Sequence, residues 1–188
     1  EVTTRTGDPG AGYALILDAA RRSRSEQLYQ RAADIALQSR SGEYALAAAK
    51  AWQEDHPQSR EANRYVLQIL IALNKVGETA GPLRQFIEQA PLPNRVGILS
   101  SVPQMYGRIA DKAAAVSAVK EAFKGELENR STGAAAWISL GRLQLAADDK
   151  AASLQSLAKA KAMDPAYEGQ ARLALELMDE GISAAEPF

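Results

Sequence analysis

The stretch Trp137-Ile138-Ser139-Leu140-Gly141-Arg142-Leu143-Gln144, continued by Ser153-Leu154-Gln155-Ser156-Leu157, Ala160 and Asp164-Pro165, decides how this chain is read. Both halves carry apolar residues at helical spacing. Asp148-Asp149 falls at helix ends, where Asp149 favours the start of the second helix through its dipole. Pro165 stops that helix. Gly141 has no side chain, so the second helix can come close to the first at that point. Trp137, Leu140, Leu157 and Ala160 then fill the seam between them, and Trp137→Ala is expected to destabilise the fold by about 3–5 kcal/mol.

The same unit recurs upstream. Pro57 and Pro91 stand 34 residues apart. Set in register, they place Ala45 over Thr79, Ala49 over Leu83 and Trp52 over Phe86. Ser25 caps a helix striped by Leu28, Tyr29, Ala32, Ala33, Ile35, Ala36 and Leu37. Ser41-Gly42 breaks it, and the next helix carries Tyr44, Ala45, Ala48, Ala49 and Trp52 up to Pro57. Ser59 caps a helix with Ala62, Tyr65, Val66, Ile69, Leu70 and Leu73 inward, and Gly77 ends it. The return helix from Ala80 to Ala90 buries Leu83, Phe86 and Ile87.

Downstream, Asp111-Lys112-Ala113-Ala114-Ala115-Val116 is echoed 38 residues later by Asp149-Lys150-Ala151-Ala152-Ser153-Leu154. The excess over 34 is placed in a loop from Gly125 to Thr132. Pro103 lies inside the first helix of this longer unit, which predicts a kink or a late helix start near Ser100 or Ser101. After Pro165 a last helix turns Tyr167, Ala171, Ala174, Leu175, Met178 and Ile182 inward. Leu173 and Leu177 lie beside that face, partly exposed, and Glu168, Glu176, Asp179 and Glu180 form an acidic outer side.

At the start, Gly7 to Gly12 reads as a turn, and Tyr13, Leu15, Ile16, Ala19 and Ala20 as a short helix ending near Ser23. Residues 1–6 read as the tail of a helix without its beginning, which implies a fragment or processed form of a longer protein. The expected organisation is an incomplete first unit over 1–24 and four helix pairs over 25–57, 59–91, 93–128 and 131–165. A terminal helix and tail then occupy 166–188.

Composition agrees with close-packed helices. Of 188 residues, 37 are alanine and only 6% are aromatic, with no long β-branched alternation to suggest a sheet. The net charge of −1, with acids and bases interspersed, argues against a nucleic-acid partner. No cysteine is present, so there is no disulfide frame, thiolate nucleophile or cysteine zinc site. No apolar run reaches the length of a membrane span. His56 is the single histidine and precedes Pro57 in a turn beside Glu54 and Asp55. A metal site needs several converging ligands, so His56 reads as a solvated turn residue. There is no Gly-x-Ser-x-Gly elbow, and Gly7 to Gly12 lacks the Lys and Ser/Thr of a phosphate loop. The reading is a non-enzyme without metal or cofactor.

Trp137, Leu140, Gly141 and Pro165 match the pattern of the tetratricopeptide repeat, with Gln144, Ser153 and Leu157 standing for its Tyr, Ala and Phe. About residues 8–182 resemble that family. The resemblance implies an all-α, right-handed superhelical solenoid of antiparallel helix pairs, and the pattern counts about ten helices. The segments Arg31-Ala32-Ala33-Asp34-Ile35-Ala36-Leu37 and Tyr44 to Trp52 are also similar to parts of large Gram-negative bacterial repeat proteins, which are often exported and work at the cell envelope. In the family, first helices line a concave groove that binds peptides. Mapping this chain onto it turns Gln27, Gln30, Asp34, Arg64, Gln68, Gln104, Arg108 and Arg142 toward the groove. The chaperone-tail clamp of some members does not carry over. Its positions here are Gln30, Arg31, Asp34, Arg64, Tyr65 and Gln68, without the asparagines and with one acid. The implied function is a protein-interaction scaffold whose partner is a peptide or protein segment with acidic or carboxylate character. The alternative is an assembly module whose ends self-associate or continue a longer array.

Overall fold

The computed structural model describes residues 9–188, whose regular elements are all helices, with no strand among them. In chain order the helices are α1 Pro9–Ser23, α2 Glu26–Gln38, α3 Gly42–Asp55, α4 Arg60–Ala72, α5 Ala80–Glu88, α6 Leu92–Met105, α7 Lys112–Ala122, α8 Lys124–Leu127, α9 Gly133–Ala146, α10 Lys150–Met163 and α11 Gly169–Asp179. Short 3-10 turns lie at Val76–Glu78 and Ser183–Ala185. Successive helices pack on their neighbours in each unit, which makes this an all-helical repeat. The chain forms two compact units, residues 1–75 and 76–188. The division falls inside the span 59–91 that the sequence reads as one pair.

In the first unit α2 packs on α1 and α3, and α4 packs on α3. Ala20, Ala32, Ala33, Ala48 and Ala62 are fully buried, and these small side chains bring the helices close enough for Tyr29 and Trp52 to close the core. Polar ends of the large side chains are satisfied at the rim. Trp52 Nε1 donates to Glu26 at 2.8 Å, Ser59 Oγ donates to the same carboxylate, and Tyr29 OH donates to Asp55. The Ser59 bond, with that of Trp52, holds the Glu26 carboxyl below its ordinary range.

In the second unit α9 is central and touches α6, α7, α8, α10 and α11. A Cβ added to Gly141 would stand 2.7 Å from Leu173 Cδ2 and 3.3 Å from Ser156 Cβ. The glycine thus admits α10 as expected, and also a leucine of α11. Leu140, Leu157 and Ala160 are fully buried in that seam. Trp137 is half-buried at its edge, donates Nε1 to Leu127 O at 3.1 Å, and has Lys159 Nζ 4.1 Å above its ring. Its truncation therefore removes less buried area than the sequence reading supposed.

A device not read from the sequence ends the first helices. Arg40, Asn74, Asp148 and Gly181 take left-handed φ of 55°, 58°, 62° and 83° just past α2, α4, α9 and α11. The next backbone N–H returns to a carbonyl of the last turn: Ser41 to Ala36, Lys75 to Leu70, Asp149 to Gln144 and Ile182 to Leu177, at 2.8–3.0 Å. This is the Schellman closure, which satisfies orphan carbonyls and reverses the chain. Asn, Asp and Gly tolerate that conformation best, so three of the four positions are chemically apt. Helix starts follow the expectation at Ser59 and Asp149, whose side chains accept from Ala62 and Ala152 N–H, and Asp111, not singled out from the sequence, accepts from Ala114 N–H in the same way. Ser25 flanks α2 without such a bond.

Other expectations are corrected. The turn expected over Gly7 to Gly12 is helix from Pro9 onward; Gly7, Asp8 and residues 1–6 lie outside the described residues. The stretch 125–132 opens with the one-turn α8 rather than a loop. Leu37 and Tyr44 are 42% and 62% exposed, and Phe86 is half-buried. Tyr44 instead packs against Tyr13 with tilted rings, centroids 5.3 Å apart. In α11 the buried face is Gln170, Leu173, Ala174 and Leu177, while Ala171, Leu175 and Met178 face out.

Pro103 does not delay α6, which starts at Leu92. Proline has no N–H for the carbonyl four residues back, here Leu99. Ser139 Oγ of α9 supplies the missing donor to Leu99 O at 2.6 Å, in a buried position. Ser139→Ala should therefore destabilise by about 1–3 kcal/mol, the desolvation penalty of an unmet carbonyl. In a Pro103→Ala background, where residue 103 regains an N–H, the same change should cost under about 1 kcal/mol. Chemical denaturation of the four proteins checks this, and an equal penalty in both backgrounds would show that Ser139 does not serve that carbonyl.

Candidate functional site

Polar side chains on the first helices form different arrangements in the two units. In the first unit Gln30 Nε2 donates to Tyr65 OH at 3.1 Å, and Tyr65 OH donates to Asp34 Oδ1 at 2.9 Å. Burial, reinforced by the Asp34 carboxylate, raises the Tyr65 phenol above its ordinary range. Arg64 lies 5.5 Å from the Tyr65 ring centroid and is gripped by Glu61, with Nε at 3.0 Å from Oε2 and a second bond from Nη2 to Oε1. The hydrogen bond from Arg64 holds the Glu61 carboxyl low. Gln27 and Gln68 are exposed.

In the second unit an open cleft of about 780 Å³ lies among α6, α9 and α11. Ser100 and Gln104 line it from α6, Arg142 from α9, Glu176 and Asp179 from α11, and Lys112 from the start of α7. Gln104 is exposed, and Lys112 Nζ donates to Gly107 O at 2.7 Å. Arg142 donates Nε and Nη2 to the two carboxylate oxygens of Glu176, each at 3.1 Å. Arg172 Nε reaches Glu176 Oε1 at 3.2 Å. Lys112, Arg142 and Arg172 line the cleft together with Glu176, Asp179 and Glu180, so its charges balance.

Of the residues turned toward a groove by the sequence reading, Gln104 and Arg142 meet in this cleft. Arg108 is exposed but does not line it. Gln27, Gln30, Arg64 and Gln68 belong to the first unit. The sequence reading missed Ser100, Lys112 and Asp179 as cleft residues and Glu176 as the partner of Arg142. The available signal was the repeat itself, since Arg142 and Glu176 are 34 residues apart.

His56 Nε2 lies 2.8 Å from Arg24 O, and its ring meets Tyr29 edge-on at 6.3 Å. It ties the turn before α2 to the end of α3. Among the described residues no three His, Asp or Glu side chains stand together as a metal site, and no helix is long and apolar enough to cross a membrane.

No protein-family model matches the chain, and no curated protein matches it. Among solved structures it is similar to MamA 41-end from Desulfovibrio magneticus RS-1, at a TM-score of 0.43 and 16% identity over 86% of this chain and 89% of that one. A crystal structure of MamA protein gives 0.44 and 15% over 86% of each chain. The MamA RS-1 ArsTM double mutant gives 0.42 and 15% over 85% of this chain and 96% of that one.

Proposed function

We propose that this chain is a non-catalytic scaffold that holds a peptide or protein segment against its first helices, seated in the cleft of the second unit. The observation that carries the reading is that one open cleft gathers Gln104, Lys112 and Arg142 from three helices. Glutamine and lysine side chains can pair with an extended backbone. The guanidinium of Arg142 suits a carboxylate, since it grips that of Glu176 at two points. Balanced charge disfavours long-range steering and leaves recognition to short-range contacts. Gln27, Gln30, Arg64 and Gln68 are proposed as partner contacts of the first unit, and exposed Arg108 as an outlying contact of the second.

The test is selection of displayed random peptides on the immobilised chain, followed by affinity measurement on the wild type and on Gln104→Ala/Arg142→Ala. Binding should fall at least about tenfold in the double variant, the scale of losing one or two good hydrogen bonds, with melting unchanged. Peptides that bind both proteins equally would remove the cleft from the reading. The assembly alternative draws on Leu175 and Met178, 61% and 40% exposed on α11. Sedimentation of the same samples addresses it, since a concentration-dependent dimer lost on Leu175→Ser would favour assembly.

A further inference from the structure

We infer that Glu176 fills the carboxylate seat of the cleft from within, so that a partner carboxylate enters by displacing it from Arg142. The inference rests on the scaffold reading above and adds a regulatory step to it. A guanidinium offers one face of two parallel donors to a carboxylate, and Glu176 occupies that face of Arg142 through both oxygens. The pair is reachable from solvent, with side chains 28% and 31% exposed.

Two features make this contact releasable. Glu176 has a second cationic partner on its own helix, Arg172, which is 72% exposed and already touches Oε1. On leaving Arg142 the carboxylate therefore keeps a counter-charge. The seam between α9 and α11 is closed independently, by Leu173 against Gly141 and by fully buried Leu177, so the ion pair is not what holds the helices together. A tethered carboxylate competes at an effective concentration in the millimolar range or above. A lone small carboxylate loses to it. A segment that also contacts Gln104 and Ser100 can win, which selects for a partner offering more than one group.

The probe is N-acetyl-tetraalanine with a free C-terminal carboxylate, set against its C-terminal amide. Binding is followed by calorimetry and by the Arg142 Nε–H signal in NMR, on the wild type, Glu176→Gln and Glu176→Asp. The acid should bind Glu176→Gln about tenfold more tightly than wild type, consistent with removal of an intramolecular competitor. Glu176→Asp, too short for the two-point grip, should fall between, and the amide should bind all three alike. Circular dichroism of each variant confirms that α11 is intact. Equal affinity of the acid for wild type and Glu176→Gln, or binding to neither, would overturn the inference. If selected peptides still depend on Gln104 and Arg142 but are indifferent to Glu176 and to their own carboxylates, the cleft stands and its internal occupant does not.

Discussion

Trp52→Ala is expected to destabilise the first unit by about 3–5 kcal/mol, the range for deleting a large buried aromatic. Trp52 is 2% exposed, and its cluster contains Tyr29 and five fully buried alanines. Alanine side chains have no rotamers with which to reach into a vacated space, so the cavity would persist and the penalty should sit high in that range. Trp52→Phe keeps much of the volume but loses the bond to Glu26 and part of the contact with the Tyr65 ring, for about 1–3 kcal/mol. Repeat arrays need not unfold as one step, so hydrogen exchange of the α2, α3 and α4 amides is the appropriate measure. A loss below about 1 kcal/mol for the alanine variant would mean that the alanine-lined core collapses around the gap.

What the sequence made legible was the seam between α9 and α10. Gly141, Leu140, Leu157 and Ala160 were placed correctly because close packing demands a missing or small side chain at a definite offset. Caps at Ser59 and Asp149 were legible for a similar reason, since a short acceptor must precede the first turn. What stayed hidden were contacts one repeat apart. Gln30 and Asp34 meet Tyr65 at separations of 35 and 31, and Arg142 meets Glu176 at 34. These play the part on successive first helices that i,i+4 pairs play on one helix. They can be sought only after the period is known. Arg142 was therefore turned toward the groove with no partner assigned, although its counter-charge lay one period on. Ser139 was hidden because its role answers an absence, the N–H that Pro103 lacks.

Leu173→Ala is expected to destabilise the second unit by about 2–5 kcal/mol, whereas Leu175→Ala should change stability by under about 0.5 kcal/mol. The two leucines decide how α11 is rotated, because positions two apart differ by about 200° around a helix. Both faces of α11 carry helically spaced apolar residues, so periodicity alone could not choose between them. Packing chooses: Leu173 is fully buried, its Cδ2 lying where a side chain on residue 141 would otherwise project, while Leu175 is 61% exposed. With glycine opposite, nothing on α9 at that point can move in to fill the hole left by Leu173→Ala. Gly141→Ala should then partly repair Leu173→Ala while being less favourable in the wild type, where its Cβ would meet Leu173. Chemical denaturation followed by circular dichroism, with exchange of the α9 and α11 amides, reads all four proteins. A large loss for Leu175→Ala with little for Leu173→Ala would turn α11 over and bring back the face that its sequence first suggested.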